Sequence, residues 1–278
     1  MLAPTDAAWP LGLSDLKDPP RSLEVDGCWP RDRPPVAVVG TRRASPEALE
    51  LTREIAHALG RAGALVISGG AYGIDAAAHE GALEAGAPTV AILGTPLDRL
   101  YPADHAPLFR RIREHGALVS ELPRGSRVAR RFFLARNRLI AAAATVVLVV
   151  QAPGRSGALG TAAAAQALGR PLFACPWSPL DEVAEGGLTL LAEGRARLCR
   201  NAGDLVGALG LRLAPARPAS AAPVEDPLGV LRALGRSALH VDALAARIGL
   251  PVAALLPALF ELELAGAVVS SPGGYRRR

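Results

Sequence analysis

The sequence predicts an α/β fold, a parallel sheet with helices on both faces, followed by a small winged-helix domain. Three observations carry that prediction. Short runs that are apolar throughout alternate with amphipathic helical stretches from about residue 36 to residue 209. Glycine-bearing turns follow three of those runs. The rhythm stops over residues 210–224, where Pro, Ala and Arg gather without a strand or helix period, and a second helical pattern then begins.

Taken in order, residues 1–35 hold Trp9, Trp29 and several prolines but too little periodicity for a domain, and are set apart as an N-terminal extension. Residues 36–209 form the main domain. Val36–Val39, Leu65–Ile67, Thr89–Leu93, Ala117–Val119, Val146–Val150 and Leu172–Ala174 read as buried strands, because a strand covered on both faces loses its polar alternation. Pro46–Arg61, Ile74–Glu84, His105–Glu114 and Leu159–Leu168 read as the helices between them. Ser45-Pro46 is a helix start, with Ser as cap and Pro at the first helical position. After the 210–224 linker, residues 225–278 give three short helices at Asp226–Leu234, Val241–Ile248 and Val252–Leu264, and a hairpin at Val268–Tyr275.

With 278 residues, 50% hydrophobic and 21% charged, the composition is that of a globular chain. Of 31 Lys+Arg residues only Lys17 is a lysine. Arginine suits phosphates, since its planar fork donates paired hydrogen bonds and stacks on bases. Codon bias toward Ala, Gly, Pro and Arg would produce the same excess. A net charge of +5 therefore permits a nucleic-acid partner without establishing one. Cys28, Cys175 and Cys199 are far apart and odd in number, which fits neither a disulfide framework nor metal-ligand spacing. No secretory signal is visible, and the apolar run from Leu139 to Val150 is too short for a bilayer. The expectation is a cytoplasmic protein with no membrane association.

Chemistry concentrates in the turns. Gly40-Thr41-Arg42-Arg43-Ala44-Ser45 follows the first strand and opens a helix, so backbone N–H groups and a positive dipole end face outward beside Arg42. Ser68-Gly69-Gly70-Ala71-Tyr72-Gly73-Ile74-Asp75 forms the second turn, where Asp75 is expected to cap a helix. Gly154-Arg155-Ser156-Gly157-Ala158-Leu159-Gly160-Thr161 forms the third, a candidate phosphate cradle helped by the Ser156 and Thr161 hydroxyls. Neither GxGxxG nor GxxxxGK[ST] is present, which removes support from dinucleotide and P-loop chemistry. The stretch from Arg124 to Arg138 carries Arg124, Arg127, Arg130, Arg131, Arg136 and Arg138 with no acid, and Phe132 and Phe133 offer stacking faces within it.

These segments together resemble the DprA/Smf family of DNA-processing proteins. The ordered motifs are VVGTRRAS (38–45), SGGAYGID (68–75), LGTPLDRLYP (93–102), SELP (120–123), FLARNRLIA (133–141) and APGRSGALGTA (152–162), continued by PLFACPWSPLD (171–181). The resemblance implies an extended Rossmann-like domain that binds single-stranded DNA without sequence preference, forms homodimers and helps load the RecA recombinase in natural transformation. Carried over by position, Gly40, Arg42 and Ser45 belong to the first phosphate turn, and Ser68 and Gly69 line the same pocket. Arg127, Arg130 and Arg131 extend a basic track into Phe133, Arg136, Asn137 and Arg138, while Ser156, Gly157 and Thr161 form the far wall. Tyr72 stands where the family has an Arg, and is expected to stack on a base instead. No residue is assigned a catalytic or metal-ligating role, and no cofactor is expected.

Two other classes compete. A nucleotide phosphoribohydrolase of the lysine-decarboxylase-like Rossmann group would need a Glu after the third-turn Thr, but Thr161 is followed by Ala162 to Ala165. A transcription regulator would need a basic third helix in the winged domain, and Val252–Leu264 has no Lys or Arg and two acids, Glu261 and Glu263.

Overall fold

The computed structural model of the chain describes residues 1–4, 6, 9–212, 226, 228–235 and 237–278. It divides into two compact units, residues 1–214 and 215–278. The linker expected over 210–224 lies, from residue 213 onward, outside the described residues.

In the first unit the elements run β1 (Glu24–Gly27), β2 (Pro35–Val39), α1 (Pro46–Arg61), β3 (Leu65–Ser68), α2 (Ile74–Glu84), β4 (Thr89–Leu93), α3 (Ala106–His115), β5 (Ala117–Ser120) and α4 (Arg130–Ala143). They continue with β6 (Val146–Val149), α5 (Gly157–Ala167), β7 (Leu172–Ala174), α6 (Glu185–Ala192), β8 (Arg197–Leu198) and α7 (Ala202–Ala208). Among the described residues the strands form one eight-stranded sheet in the order β1-β5-β4-β3-β2-β6-β7-β8. All neighbours are parallel except β1 and β5. The six predicted strands and four predicted helices are all present. β3, β4, β5 and β6 are buried at every position, which explains their unbroken apolar runs.

The chain steps from β2 outward through β3, β4 and β5, then returns to the other side of β2 with β6, β7 and β8. That reversal opens a crevice at the carboxyl ends of β2 and β6, the place where open α/β sheets take ligands. Two apolar layers sandwich the sheet. One holds Val39, Ile67, Ile92, Val149 and the inner face of α4, and the other holds Val38, Val66, Leu148, Phe173 and the inner faces of α1 and α2.

The N-terminal extension is not separate from this domain. Trp9, Leu13 and Leu23 are buried in the first apolar layer, and β1 adds an antiparallel edge strand with Val25 opposite Val119. Its sequence, Glu-Val-Asp-Gly, has no apolar run because an edge strand needs only partial burial. The stretch read as a basic run ahead of an apolar segment contains helix α4 from Arg130 onward. Its arginines masked the helical period, but Leu139, Ile140, Ala141 and Ala142 face the core. The distant Cys175 and Cys199 are brought side by side by the β7–β8 pairing, both fully buried. A hydrogen bond between the two thiols, together with burial, pushes Cys175 up from its ordinary pKa and holds it protonated.

In the second unit α8 (Val230–Ala233), α9 (Val241–Ile248) and α10 (Val252–Leu264) precede the hairpin β9 (Val268–Ser271) and β10 (Gly274–Arg277). Val230, Leu234, Leu244, Leu255, Leu259, Leu262 and Val268 form its core. Backbone bonds between Leu239 and Tyr275 add a third chain segment to the hairpin, giving the winged-helix arrangement. Among the described residues no single helix is long and apolar enough to cross a membrane.

Candidate functional site

A cleft of about 660 Å³ occupies the crevice at the switch point. The first turn forms one side of it with Gly40, Thr41, Arg42 and Arg43, and the third turn forms the other with Ser156, Gly157, Ala158 and Thr161. Val128, Ala129, Arg130, Phe133, Leu134, Arg136, Asn137 and Ile140 bring the start of α4 across it, and Tyr101 and Asp75 complete it.

Local chemistry fixes each turn. Ser45 caps α1 by accepting from Ala48 N–H at 3.2 Å, and Ser156 caps α5 by accepting from Ala158 N–H at 3.2 Å. Gln151, fully buried just past the end of β6, ties the first turn to this strand and to Asp181 beyond β7. Its carbonyl accepts from Thr41 N–H at 2.7 Å, its side-chain oxygen accepts from Ser45 N–H at 3.0 Å, and its amide donates to Asp181 at 2.8 Å. Gly73, with φ +74°, lets the second turn pass against the Thr41 carbonyl, where a Cβ would collide. Asn137 donates to the Gly157 carbonyl at 2.8 Å and so binds α4 to the third turn.

The electrostatics are one-sided. Among the described residues, Arg42, Arg43, Arg130 and Arg136 line the cleft against a single carboxylate, Asp75. Asp75 is 6% exposed, and burial raises its pKa against the opposing pull of Arg136, Ala71 N–H and Arg42. Arg136 is 5% exposed and donates to the carbonyls of Gly69 (2.7 Å) and Ile92. Burial lowers its pKa to about 10, so it stays cationic at neutral pH. Arg42, Arg43 and Arg130 make no ion pair among the described residues. The Arg42 guanidinium lies 5.8 Å from the Phe133 ring centroid, and Tyr101 meets that ring edge-on at 5.7 Å. The cleft thus offers cations without an ion pair among the described residues, helix-start N–H groups, and a half-buried Phe133 beside an exposed Tyr101, a set suited to an anionic ligand with flat rings.

Of the residues expected at the site, Gly40, Arg42, Arg130, Phe133, Arg136, Asn137, Ser156, Gly157 and Thr161 come together in this cleft. Others do not line it. Ser68 is fully buried and donates to the Val38 carbonyl at 2.7 Å, so it holds β3 to β2 instead. Gly69 lies beneath the Arg136 guanidinium, and Ser45 is spent as a cap. Tyr72 donates to Asp104 at 3.0 Å and packs edge-on against His105, outside the lining. Arg138 pairs with Glu121 at 2.6 Å. Arg131 lies over the Phe132 ring at 4.9 Å, neither of them lines the cleft, and Arg127 is exposed and does not line it either. Asp75 is not the cap of α2, whose N-cap is Gly73; its carboxylate accepts from Ala71 N–H upstream at 3.3 Å. Sequence reasoning missed Gln151 and Tyr101. The latter sat in the LGTPLDRLYP motif, but only folding carries it from beyond β4 to Phe133.

A mostly parallel sheet with an arginine-rich cleft at its switch point, and a winged-helix unit in the same chain, define a Rossmann-like protein. The chain belongs to the DNA recombination-mediator protein A family, known as DprA/Smf. The family's profile matches residues 1–210, and the DprA winged-helix profile matches residues 214–274. A relative from Mycobacterium tuberculosis is 43% identical over 247 residues, covering 86% of this chain and 63% of that one. The Escherichia coli protein Smf is 36% identical over 252 residues, covering 87% of this chain and 67% of its own. The chain thus spans less than two thirds of the Mycobacterium protein. The solved structure of DNA processing protein A from Streptococcus pneumoniae superposes with a TM-score of 0.70 at 35% identity, covering 74% of this chain and 72% of that one. The same protein from Helicobacter pylori, described for its single-stranded DNA binding mode, gives 0.66 at 34% identity over 72% of this chain and 92% of that one.

Proposed function

We propose that the switch-point cleft binds single-stranded DNA without sequence preference. The observation that carries this reading is the meeting of unpaired Arg42, Arg43 and Arg130 with the Phe133–Tyr101 pair in one open cleft. Phosphates neutralise the guanidinium groups and the helix-start N–H groups, while bases stack on Phe133, whose ring face accepts any base. Family membership, and the single-stranded DNA binding described for the Helicobacter pylori relative, support the same reading.

The role is non-catalytic in this reading. Asp75, the only carboxylate in the lining among the described residues, is engaged by Ala71 N–H and faces Arg136, and Thr161 is followed by Ala162 to Ala165. The protein protects a strand in the cytoplasm and, as a homodimer, hands it to the RecA recombinase during natural transformation. Two clefts in one dimer would raise avidity through effective concentration. The test is fluorescence anisotropy of a labelled oligo-dT strand with duplex as competitor. Binding that resists duplex and weakens in Arg42→Ala supports the cleft; equal affinity for duplex, unchanged by the substitution, refutes it.

A further inference from the structure

A second cleft, of about 390 Å³, opens at the opposite edge of the sheet, where β2 and β6 begin. It lies between the N-terminal extension, the end of α4 and Arg170. The extension supplies most of its chemistry. From Trp29 to Pro34 the chain is without helix or strand; Trp29, Pro30, Arg31 and Arg33 of this segment line the cleft, with Pro35 at the start of β2. An indole and two guanidinium groups from one short segment thus share the lining of a single cleft.

Those cations are unspent. Arg31 and Arg33 have no ion pair among the described residues, whereas Arg170 is already held by Asp15 at 2.5 Å. Trp29 is half-buried against the core, which fixes its ring, and Trp9 lines the cleft at 4% exposure. The buried indole N–H of Trp9 finds no acceptor among the described residues. A buried donor without a partner is costly. Cations beside a fixed aromatic face suit a ligand that is anionic at one end and flat at the other.

We infer that this second cleft, built by Trp29, Arg31 and Arg33, binds a nucleoside phosphate, with the base on the indole and the phosphate on the two guanidinium groups. The inference does not need the switch-point cleft to bind DNA, because no residue lines both. The nucleotide could come free or as one unit of a strand, and the experiment separates the two.

The full chain is photolabelled with 8-azido-AMP and the modified peptides are mapped. Variants are Arg31→Ala/Arg33→Ala and Arg42→Ala, each compared with the parent by thermal melting. Arg31 is exposed and neither arginine is paired, so the double variant should melt with the parent. Labelling of segments around Trp9 or Trp29 that falls at least fivefold in the double variant and persists in Arg42→Ala supports the site. Absence of label there, or loss only in Arg42→Ala, overturns it. Inorganic phosphate that displaces AMP at equal concentration also overturns it, since the indole would then contribute nothing. Given the site, weaker oligo-dT binding by the double variant identifies a strand as the source; unchanged oligo-dT binding identifies a free nucleotide.

Discussion

The guanidinium of Arg136 occupies the space where any side chain at position 69 would sit, and donates to the Gly69 carbonyl at 2.7 Å. Gly69 is therefore a glycine because of an arginine 67 residues further along the chain. Gly69→Ala should force the guanidinium away from the carbonyls of Gly69 and Ile92 and leave Asp75 without its cation. Losing hydrogen bonds from a buried charge costs about 2–4 kcal/mol. Urea denaturation monitored by circular dichroism checks this, and an unchanged midpoint would show that the network adds no net stability.

His79 should make the fold acid-sensitive. It is fully buried, and its Nδ1 lies 2.8 Å from Thr89 Oγ1. Thr89 donates its own hydroxyl to the Val66 carbonyl, so His79 must be the donor and the neutral ring carries its proton on Nδ1. Burial, with smaller contributions from His105 and Arg136, lowers the pKa from 6.5 to about 3. Because the folded value is depressed, the unfolded chain binds the extra proton. Stability is complete above pH 6.5 and falls toward pH 3, by about 1.4 kcal/mol per pH unit across that window from this group. Urea midpoints measured from pH 7 to pH 4 should fall, and His79→Gln should flatten that part of the profile.

Arg42→Ala should weaken strand binding by about 1.5–3 kcal/mol, the worth of a charge-assisted contact. It should also reduce the slope of log affinity against log salt by about 1, since one phosphate contact is lost. Phe133→Ala should cost a similar amount, about 1–3 kcal/mol for one stacked base, but leave the salt slope unchanged. Anisotropy titrations across a salt series separate the two.

Arg138 should behave differently from Arg42, although both belong to the basic motifs. Its bond to Glu121 at 2.6 Å, with both side chains largely buried, occupies it structurally. Arg138→Ala should lower stability by about 1–3 kcal/mol and change strand affinity less than Arg42→Ala does. A larger loss of binding than of stability would return Arg138 to the DNA track.

The winged helix should not retain duplex DNA by itself. Its third helix, α10, exposes Leu256, Phe260 and Leu264 at four-residue spacing, hence along one side, and has no Lys or Arg. A reading helix needs donors for base edges and cations for phosphates. A fragment of residues 226–278 should fail to shift a labelled duplex in a gel at low salt.

Much of this protein was already decided in the linear chain. Unbroken apolar runs such as Thr89–Leu93 mark strands covered on both faces, and Ser45-Pro46 marks a helix start, because burial and capping act over a few residues. The seven motifs in their order, not the three turns alone, carried the resemblance to the family. Tertiary structure alone decided which of two similar arginines is free. Arg42 and Arg138 look alike in sequence, but among the described residues only Arg138 forms an ion pair with a carboxylate. It also decided that Ser68 turns to the Val38 carbonyl, that Gln151 joins the first turn to Asp181, and that Trp29, Arg31 and Arg33 line a second cleft. Each of those outcomes depends on partners far away in the chain, and a side chain's free charge is known only once its neighbours are in place.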